Sequence, residues 1–271
     1  MNEKRELVKS VIPEPLLIAY RETKHAFDRA KQWPSATFHP WRRESIRKLG
    51  EMRGRHKGER CFIIGNGPSL KQTDLQKLRN EYTIGMNRIY MLFPELGFQT
   101  TYFCSVNDLV IEQCAADIQA LDMPRFISWR ARKWLSPQEN LYYLHTTYTG
   151  PKFCEDVRGR LWEGGTVTCV ALQVAFHLGF EKVILIGVDH NFATKGKPNT
   201  TVISQGDDPN HFHPAYFGKG FRWQLPDLDS SEHGYRLARE AYERANREVV
   251  DATIGGKLQI FPKVDYNSLF A

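Results

Sequence analysis

Four apolar residues, Cys61-Phe62-Ile63-Ile64, run straight into Gly65-Asn66-Gly67-Pro68-Ser69-Leu70. This reads as a buried strand that breaks into a tight loop, with a helix following from about Ser69. Gly65 and Gly67 allow positive φ and close approach of a ligand to the backbone. Backbone N–H groups at such a strand end, and at the next helix N-terminus, favour phosphate. The dinucleotide fingerprint is excluded, because the third glycine is missing and Pro68 interrupts the spacing. A Walker loop is excluded, because no Gly-Lys-Ser/Thr follows. The same residues also suit an ordinary strand–turn–helix corner, so the loop alone does not decide the matter.

The rest of the chain supplies the context. Strands are expected at 61–64, 82–86, 101–106, 125–128 and 183–188, with helices near 73–79 and 109–120. A strong helix is expected from Gly165 to Leu178, where Val167, Val170, Ala171, Val174, Ala175 and Leu178 recur at helical spacing. A last helix is expected at about 232–249, then a short strand at 258–261. Strands alternating with helices imply an α/β fold, a doubly wound parallel Rossmann-like sheet. Such sheets bind ligands outside the carboxyl ends of their strands. The polar groups expected there are Asn66, Asn87, Asn107-Asp108 and Asp189-His190-Asn191. Each asparagine singly suits a turn. Three at three strand ends favour ligand contact, since a carboxamide both donates and accepts.

Residues 192–232 show no regular period, and a long irregular stretch in an α/β domain reads as a lid. It carries Lys195, Asp207-Asp208, His211, His213 and Tyr216. Either histidine suits acid–base work near neutral pH. A metal pair at His211 and His213 is disfavoured, because no third ligand joins them locally.

Charge divides the chain. The first 60 residues carry 15 Lys/Arg against 8 Asp/Glu, whereas the remaining 211 sum to −1. Two domains are therefore expected: a basic helical N-terminal extension over 1–57, and a catalytic body over 58–271. Within the extension a helix is expected at 14–32, ended by Trp33-Pro34-Ser35, and a second, partly helical segment at 40–58. The basic patch suits a solvated face or peripheral contact with an anionic membrane. No nucleic-acid motif accompanies it. No apolar run approaches the ~18 residues of a membrane span, and the N-terminus lacks an apolar signal region. The expectation is a cytoplasmic protein, compatible with the inner face of a membrane and with a homo-oligomer. Five cysteines without CxxC pairing read as buried free thiols.

Gly65-Asn66-Gly67-Pro68-Ser69-Leu70-Lys71, with Asn87 beyond it, resembles the opening of the bacterial family 42 sialyltransferases. Gly164-Gly165-Thr166, the strand into Gly187-Val188-Asp189 and, more loosely, Ile254-Gly255-Gly256-Lys257-Leu258 carry the same resemblance. The pattern is shared with motility-associated glycosyltransferases and hydroxymethylpterin pyrophosphokinases, over about residues 58–270. The resemblance implies cytidine-nucleotide contacts at Asn66, Asn87 and Asn107; together with the loop, strand-end and helix-start residues, the expected nucleotide site comprises Gly65, Asn66, Gly67, Pro68, Ser69, Asn87, Asn107, Asp108, Gly165, Thr166 and Asp189. It implies a lid histidine as general base, at His211 or His213. The family's lid tyrosines for the leaving phosphate are missing after Asp189, where His190, Lys195 or Tyr216 would substitute. An arginine that the family places before its Ser-Gly helix start is also not in register here. The implied activity is metal-independent transfer from a CMP-nonulosonate sugar to a surface glycan or protein, with no cofactor. The alternatives are an Mg-dependent pyrophosphokinase, with Asp189, Asp207 and Asp208 as ligands, and a non-catalytic nucleotide- or glycan-binding module.

Overall fold

Strand β1 (Arg60–Ile64) has no polar face: Cys61 and Ile63 enter one apolar layer, Phe62 and Ile64 the other. A strand buried on both faces belongs in the middle of a parallel sheet, and β1 sits there. The computed structural model describes residues 14–271. The other sheet strands are β2 (Tyr82–Met86), β3 (Tyr102–Ser105), β4 (Arg125–Ser128), β5 (Leu141–Thr147), β6 (Arg160–Trp162), β7 (Lys182–Ile186) and β10 (Glu248–Asp251). They form one eight-stranded sheet in the order β10-β7-β1-β2-β3-β4-β5-β6, and every pairing is parallel. Short strands β8 (Thr201–Ile203) and β9 (Arg222–Gln224) make a separate antiparallel pair inside the expected lid.

Helices cover both faces. Helix α1 (Glu14–Phe38) precedes α2 (Pro40–Met52); α3 (Asp108–Gln113) and α4 (Ala115–Ala120) follow β3. Helix α5 (Val167–Leu178) follows β6, and α6 (Leu228–Arg244) precedes β10. Every residue of α5 from Thr168 to Leu178 is buried, as a helix apolar on all sides requires. Chain order reverses beside β1, which pairs with β2 on one side and β7 on the other. That reversal opens a crevice at the carboxyl ends of β1 and β7.

The structure revises several expected elements. The helix near 73–79 is replaced by two 3₁₀ turns, Pro68–Gln72 and Leu75–Leu78. The helix at 109–120 breaks at Cys114 into α3 and α4. Helix α6 stops at Arg244, and Asn246 takes a left-handed φ of 54°. Val249 and Val250 therefore belong to β10 and not to a helix. The segment expected as a strand at 258–261 makes no strand; the nearby parallel bridge joins Asp251 to Lys263. Helix α1 runs through Pro34, because its last turn is held by packing: Ala36 is buried and Ser35 Oγ accepts the Trp129 indole N–H at 3.2 Å.

The N-terminal boundary at residue 57 cuts across the packing. The first thirteen residues of that extension lie outside the described residues. Helix α2 buries Leu49 and Met52 in the same apolar layer as α5 and β1. Its Arg42 is fully buried and donates to the Arg158 carbonyl at 2.7 Å. Most of α1, in contrast, is exposed, with Leu16, Tyr20 and Phe27 turned to solvent. All five cysteines are buried and unpaired. Among the described residues no helix is long and apolar enough to cross a membrane.

Candidate functional site

A cavity of about 200 Å³ lies over the carboxyl ends of β1, β2, β3 and β7. Its floor is the junction between the β1 and β7 loops. Gly65 N donates to Ile186 O at 2.7 Å, and Gly67 N donates to Gly187 O at 2.9 Å. A Cβ on Gly65 would lie 2.1 Å from Gly187 O; one on Gly67 would lie 1.8 Å from Asp189 Oδ2. The two glycines are thus required by contact between loops. Neither takes positive φ; that conformation falls to Gly187, at 65°. The expectation of positive φ at Gly65 and Gly67 is corrected on this point.

Asp189 is locked by Ser69, whose N–H donates at 3.1 Å and whose hydroxyl donates at 2.7 Å to its two carboxylate oxygens. Ser69 therefore supports the site from behind; neither it nor Pro68 lines the cavity. Asn66 donates from Nδ2 to the Met86 carbonyl at 3.1 Å. Among the described residues its Oδ1 is buried without a hydrogen-bond partner, a state that native structures rarely tolerate. Asn87 takes φ 51°, a conformation that asparagine tolerates, and its Oδ1 accepts from Ser105. Asn107 caps α3, with Oδ1 accepting from the N–H groups of Leu109 and Val110. Among the described residues the amide nitrogens of Asn87 and Asn107 have no hydrogen-bond partner. Gly165 and Thr166 bring the first turn of α5 to the wall, where the amides and the helix dipole favour an anion.

The lid closes the other side. Phe212 N donates to Asn66 O at 2.9 Å, pinning the lid to the glycine loop. Asp208 organises the segment: it accepts from Asn210 N at 2.8 Å, Phe217 N at 3.0 Å and His211 Nδ1 at 2.7 Å. Burial pushes the Asp208 carboxyl up, but the His211 contact and these amide bonds outweigh it and hold the group below its ordinary value. His211 stacks on Tyr216 at 4.0 Å with 11° between the rings. With Nδ1 engaged by Asp208, Nε2 is the free nitrogen of a ring that lines the cavity.

The structure thus separates the two lid histidines. His213 is exposed, with Nδ1 accepting from Ala215 N at 3.1 Å, and it does not line the cavity. His190 does line it, with φ 52° and Nε2 3.3 Å from Glu232. Lys195 is exposed and outside it. Tyr216 also lines the cavity, but its side chain is fully buried and stacked on His211, with its hydroxyl accepting from Arg88 N at 3.4 Å, so its ring supports His211. Asp108 does not line the cavity; it pairs with Arg130 at 3.1 Å. Among the described residues no lysine or arginine lines the cavity. Asp189, Asp207 and Asp208 do not form a common ligand set: Asp189 is held by Ser69, Asp208 by His211, and Asp207 is exposed. No cluster of three or more His, Cys, Asp or Glu suited to a metal occurs among the described residues.

Two contributions escaped the sequence reading. The role of Asp208 toward His211 was signalled by their three-residue spacing in a turn-rich segment. The ion cluster of Arg130, Asp108 and Glu163 joins the end of β4 to the start of α5, and no local spacing announces it.

Comparison with known proteins agrees with this architecture. A family model described as 6-hydroxymethylpterin diphosphokinase MptE-like matches residues 40–195. The MAf glycosyltransferase from Magnetospirillum magneticum AMB-1 superposes with a TM-score of 0.50 at 15% identity, over 83% of this chain. The match takes in 38% of that larger protein, and at this identity the likeness is one of fold. No match exists among curated proteins. The matched span begins at the first residue of α2 and takes in every strand end that floors the cavity, while the lid with His211 falls after it. It covers more than half of the chain, and the protein belongs to the MptE-like family.

Proposed function

We propose that the protein is a transferase that moves a group from a nucleotide donor to an acceptor hydroxyl, and that the donor is a CMP-nonulosonate sugar. The observation that carries this reading is the Asp208–His211 pair set in the wall of the strand-end cavity. His211 Nε2 takes the proton of the acceptor hydroxyl as its oxygen attacks the anomeric carbon. The bond from that carbon to the CMP phosphate oxygen breaks, and the electron pair leaves with CMP. Asp208 fixes the imidazole and offsets the positive charge it gains. The first turn of α5 and His190, which line the same cavity, receive the departing phosphate. A cytidine amine or a ribose hydroxyl supplies the donor that Asn66 Oδ1 lacks. The acceptor is a glycan or a protein side chain.

The family description supports a second reading, diphosphoryl transfer from ATP to a pterin alcohol. It uses the same base and cavity, with a magnesium ion carried on the nucleotide phosphates.

Product analysis separates the two. The protein is incubated with CMP-N-acetylneuraminate, and separately with ATP, magnesium and 6-hydroxymethyl-7,8-dihydropterin. Release of CMP, lost in His211→Ala, is the expected result. Release of AMP with a diphosphorylated pterin, and no CMP, would overturn the glycosyl reading.

A further inference from the structure

A second cavity, of about 430 Å³, opens beside the first and shares Asn107, Gly165, Thr166 and Gln224 with it. The two spaces form one cleft that passes the N-terminus of α5. Their chemistry differs. The first is bounded by loop amides, the α5 first turn, two histidines and the Asp189 carboxylate that Ser69 holds. The second is bounded by the carboxylates of Glu163 and Asp227, by the amides of Asn199 and Gln224, and by Tyr148.

The charges of the second cavity are already paired or fixed. Arg130 lies behind its wall and is saturated. It donates to both oxygens of Asp108, to Glu163 at 2.7 Å, to Thr146 and to the Tyr148 hydroxyl at 2.8 Å. Asp227 accepts from Ser230 N and from Asn199 Nδ2, each at 3.0 Å. Among the described residues no lysine or arginine lines this cavity. Glu163 is neutralised by Arg130, whereas Asp227 keeps its negative charge with no lysine or arginine beside it in the lining, which disfavours a phosphate or a carboxylate there. A neutral ring with hydroxyl groups meets the opposite situation, since carboxylate and amide oxygens accept from its O–H groups. Tyr148 is a large aromatic left 59% exposed. One face is covered by the Arg130 guanidinium, 4.2 Å from the ring centroid, so the ring is held rigid and its other face is open.

We propose that this second cavity is the acceptor subsite, and that it takes a neutral, hydroxyl-rich sugar ring stacked on Tyr148. The proposal rests on the transferase reading above and adds to it the side of the cleft from which the acceptor enters. The unpaired charge of Asp227 disfavours the nucleotide phosphates in this half, so they lie toward the first turn of α5 and His190. Glu163 and Arg130 are positioning residues here, because Arg130 holds both the Glu163 carboxylate and the Tyr148 ring in place.

The test uses the full chain saturated with CMP. Saturation-transfer difference NMR is recorded with the methyl glycosides of glucose, galactose, mannose and N-acetylglucosamine as probes. Binding of at least one glycoside is expected, weakened tenfold or more in Tyr148→Ala and retained in Tyr148→Phe, with CMP affinity within twofold of wild type. Ser230→Trp, whose side chain enters the second cavity beside Gly165, is expected to abolish the glycoside signal even where Tyr148→Ala folds poorly. Absence of any glycoside signal, its survival in both variants, or binding of 6-hydroxymethyl-7,8-dihydropterin in place of the glycosides would overturn the subsite. Failure of the wild-type protein to bind CMP would instead refute the functional reading beneath it.

Discussion

Replacing Gly67 or Gly65 by alanine probes the junction on which the site is built. In Gly67→Ala the new methyl falls 1.8 Å from Asp189 Oδ2 and 2.9 Å from Gly187 O. The carboxylate must swing away and give up its two hydrogen bonds from Ser69, at 3.1 and 2.7 Å. Hydrogen bonds to a charged group contribute about 1.5–3 kcal/mol each. Asp189 is half-buried, so solvent recovers part of that, leaving a loss of roughly 2–4 kcal/mol. At about 2–4 °C per kcal/mol for a chain of this size, Tm falls by roughly 5–15 °C. Gly65→Ala is worse, because its methyl lies 2.1 Å from the Gly187 carbonyl and no side chain can rotate away. The ends of β1 and β7 would have to part, breaking the 2.7 and 2.9 Å bonds that join them. Ser69→Ala is the clash-free control and is expected to cost about 1–2 kcal/mol. Urea denaturation gives all three. The reasoning fails if both glycine variants stay within about 0.5 kcal/mol of wild type.

His211→Ala is expected to lower turnover by roughly 10²–10⁴ with nucleotide affinity unchanged, while His213→Ala is near neutral; equal losses in a steady-state assay would contradict the geometry. Burial, with Arg42 and Arg160 nearby, holds the His145 imidazole down to about 4 from 6.5. As pH falls through that window the unfolded chain takes up a proton that the native state refuses, so stability drops by roughly 3 kcal/mol. Urea midpoints of His145→Gln should lose that slope between pH 6.5 and 4, and an unchanged slope would refute it. Deleting residues 1–27 should leave a folded protein by circular dichroism, whereas deleting 1–55 removes Leu49 and Met52 from the core and should abolish folding, each buried side chain being worth about 2–5 kcal/mol. Co-sedimentation with anionic vesicles should weaken in the shorter deletion, since α1 exposes Leu16, Tyr20 and Phe27 beside the basic segment; undiminished binding would remove the membrane expectation.

The sheet was legible because its central strands announce themselves. Phe62, Ile64, Ile184 and Ile186 leave no polar face, and each run ends in glycine or asparagine. The strand-end cavity followed from that alternation. Strand β10 was hidden because Tyr242, Ala245 and Val249 continue a helical period past the real end of α6. Only the left-handed backbone at Asn246 stops it. The glycine loop was singled out for an incomplete reason: the contact that excludes a side chain comes from the loop after β7, remote in sequence. The choice between His211 and His213 could not be made from composition, since both are lid histidines in one turn. It depends on which ring meets Asp208, a question of three-dimensional packing.

The central claim is that the cavity at the ends of β1, β2, β3 and β7 holds a nucleotide. Isothermal titration of CMP into the wild-type protein and into Asn66→Ala tests it directly. Asn66 spans the floor, bonded to Met86 on one side, with an oxygen on the other that has no partner among the described residues. The account predicts saturable one-site binding to the wild-type protein, weakened about tenfold or more in the variant, equivalent to about 1.4 kcal/mol. No binding to the wild-type protein, or equal affinity in a folded Asn66→Ala variant, would contradict it.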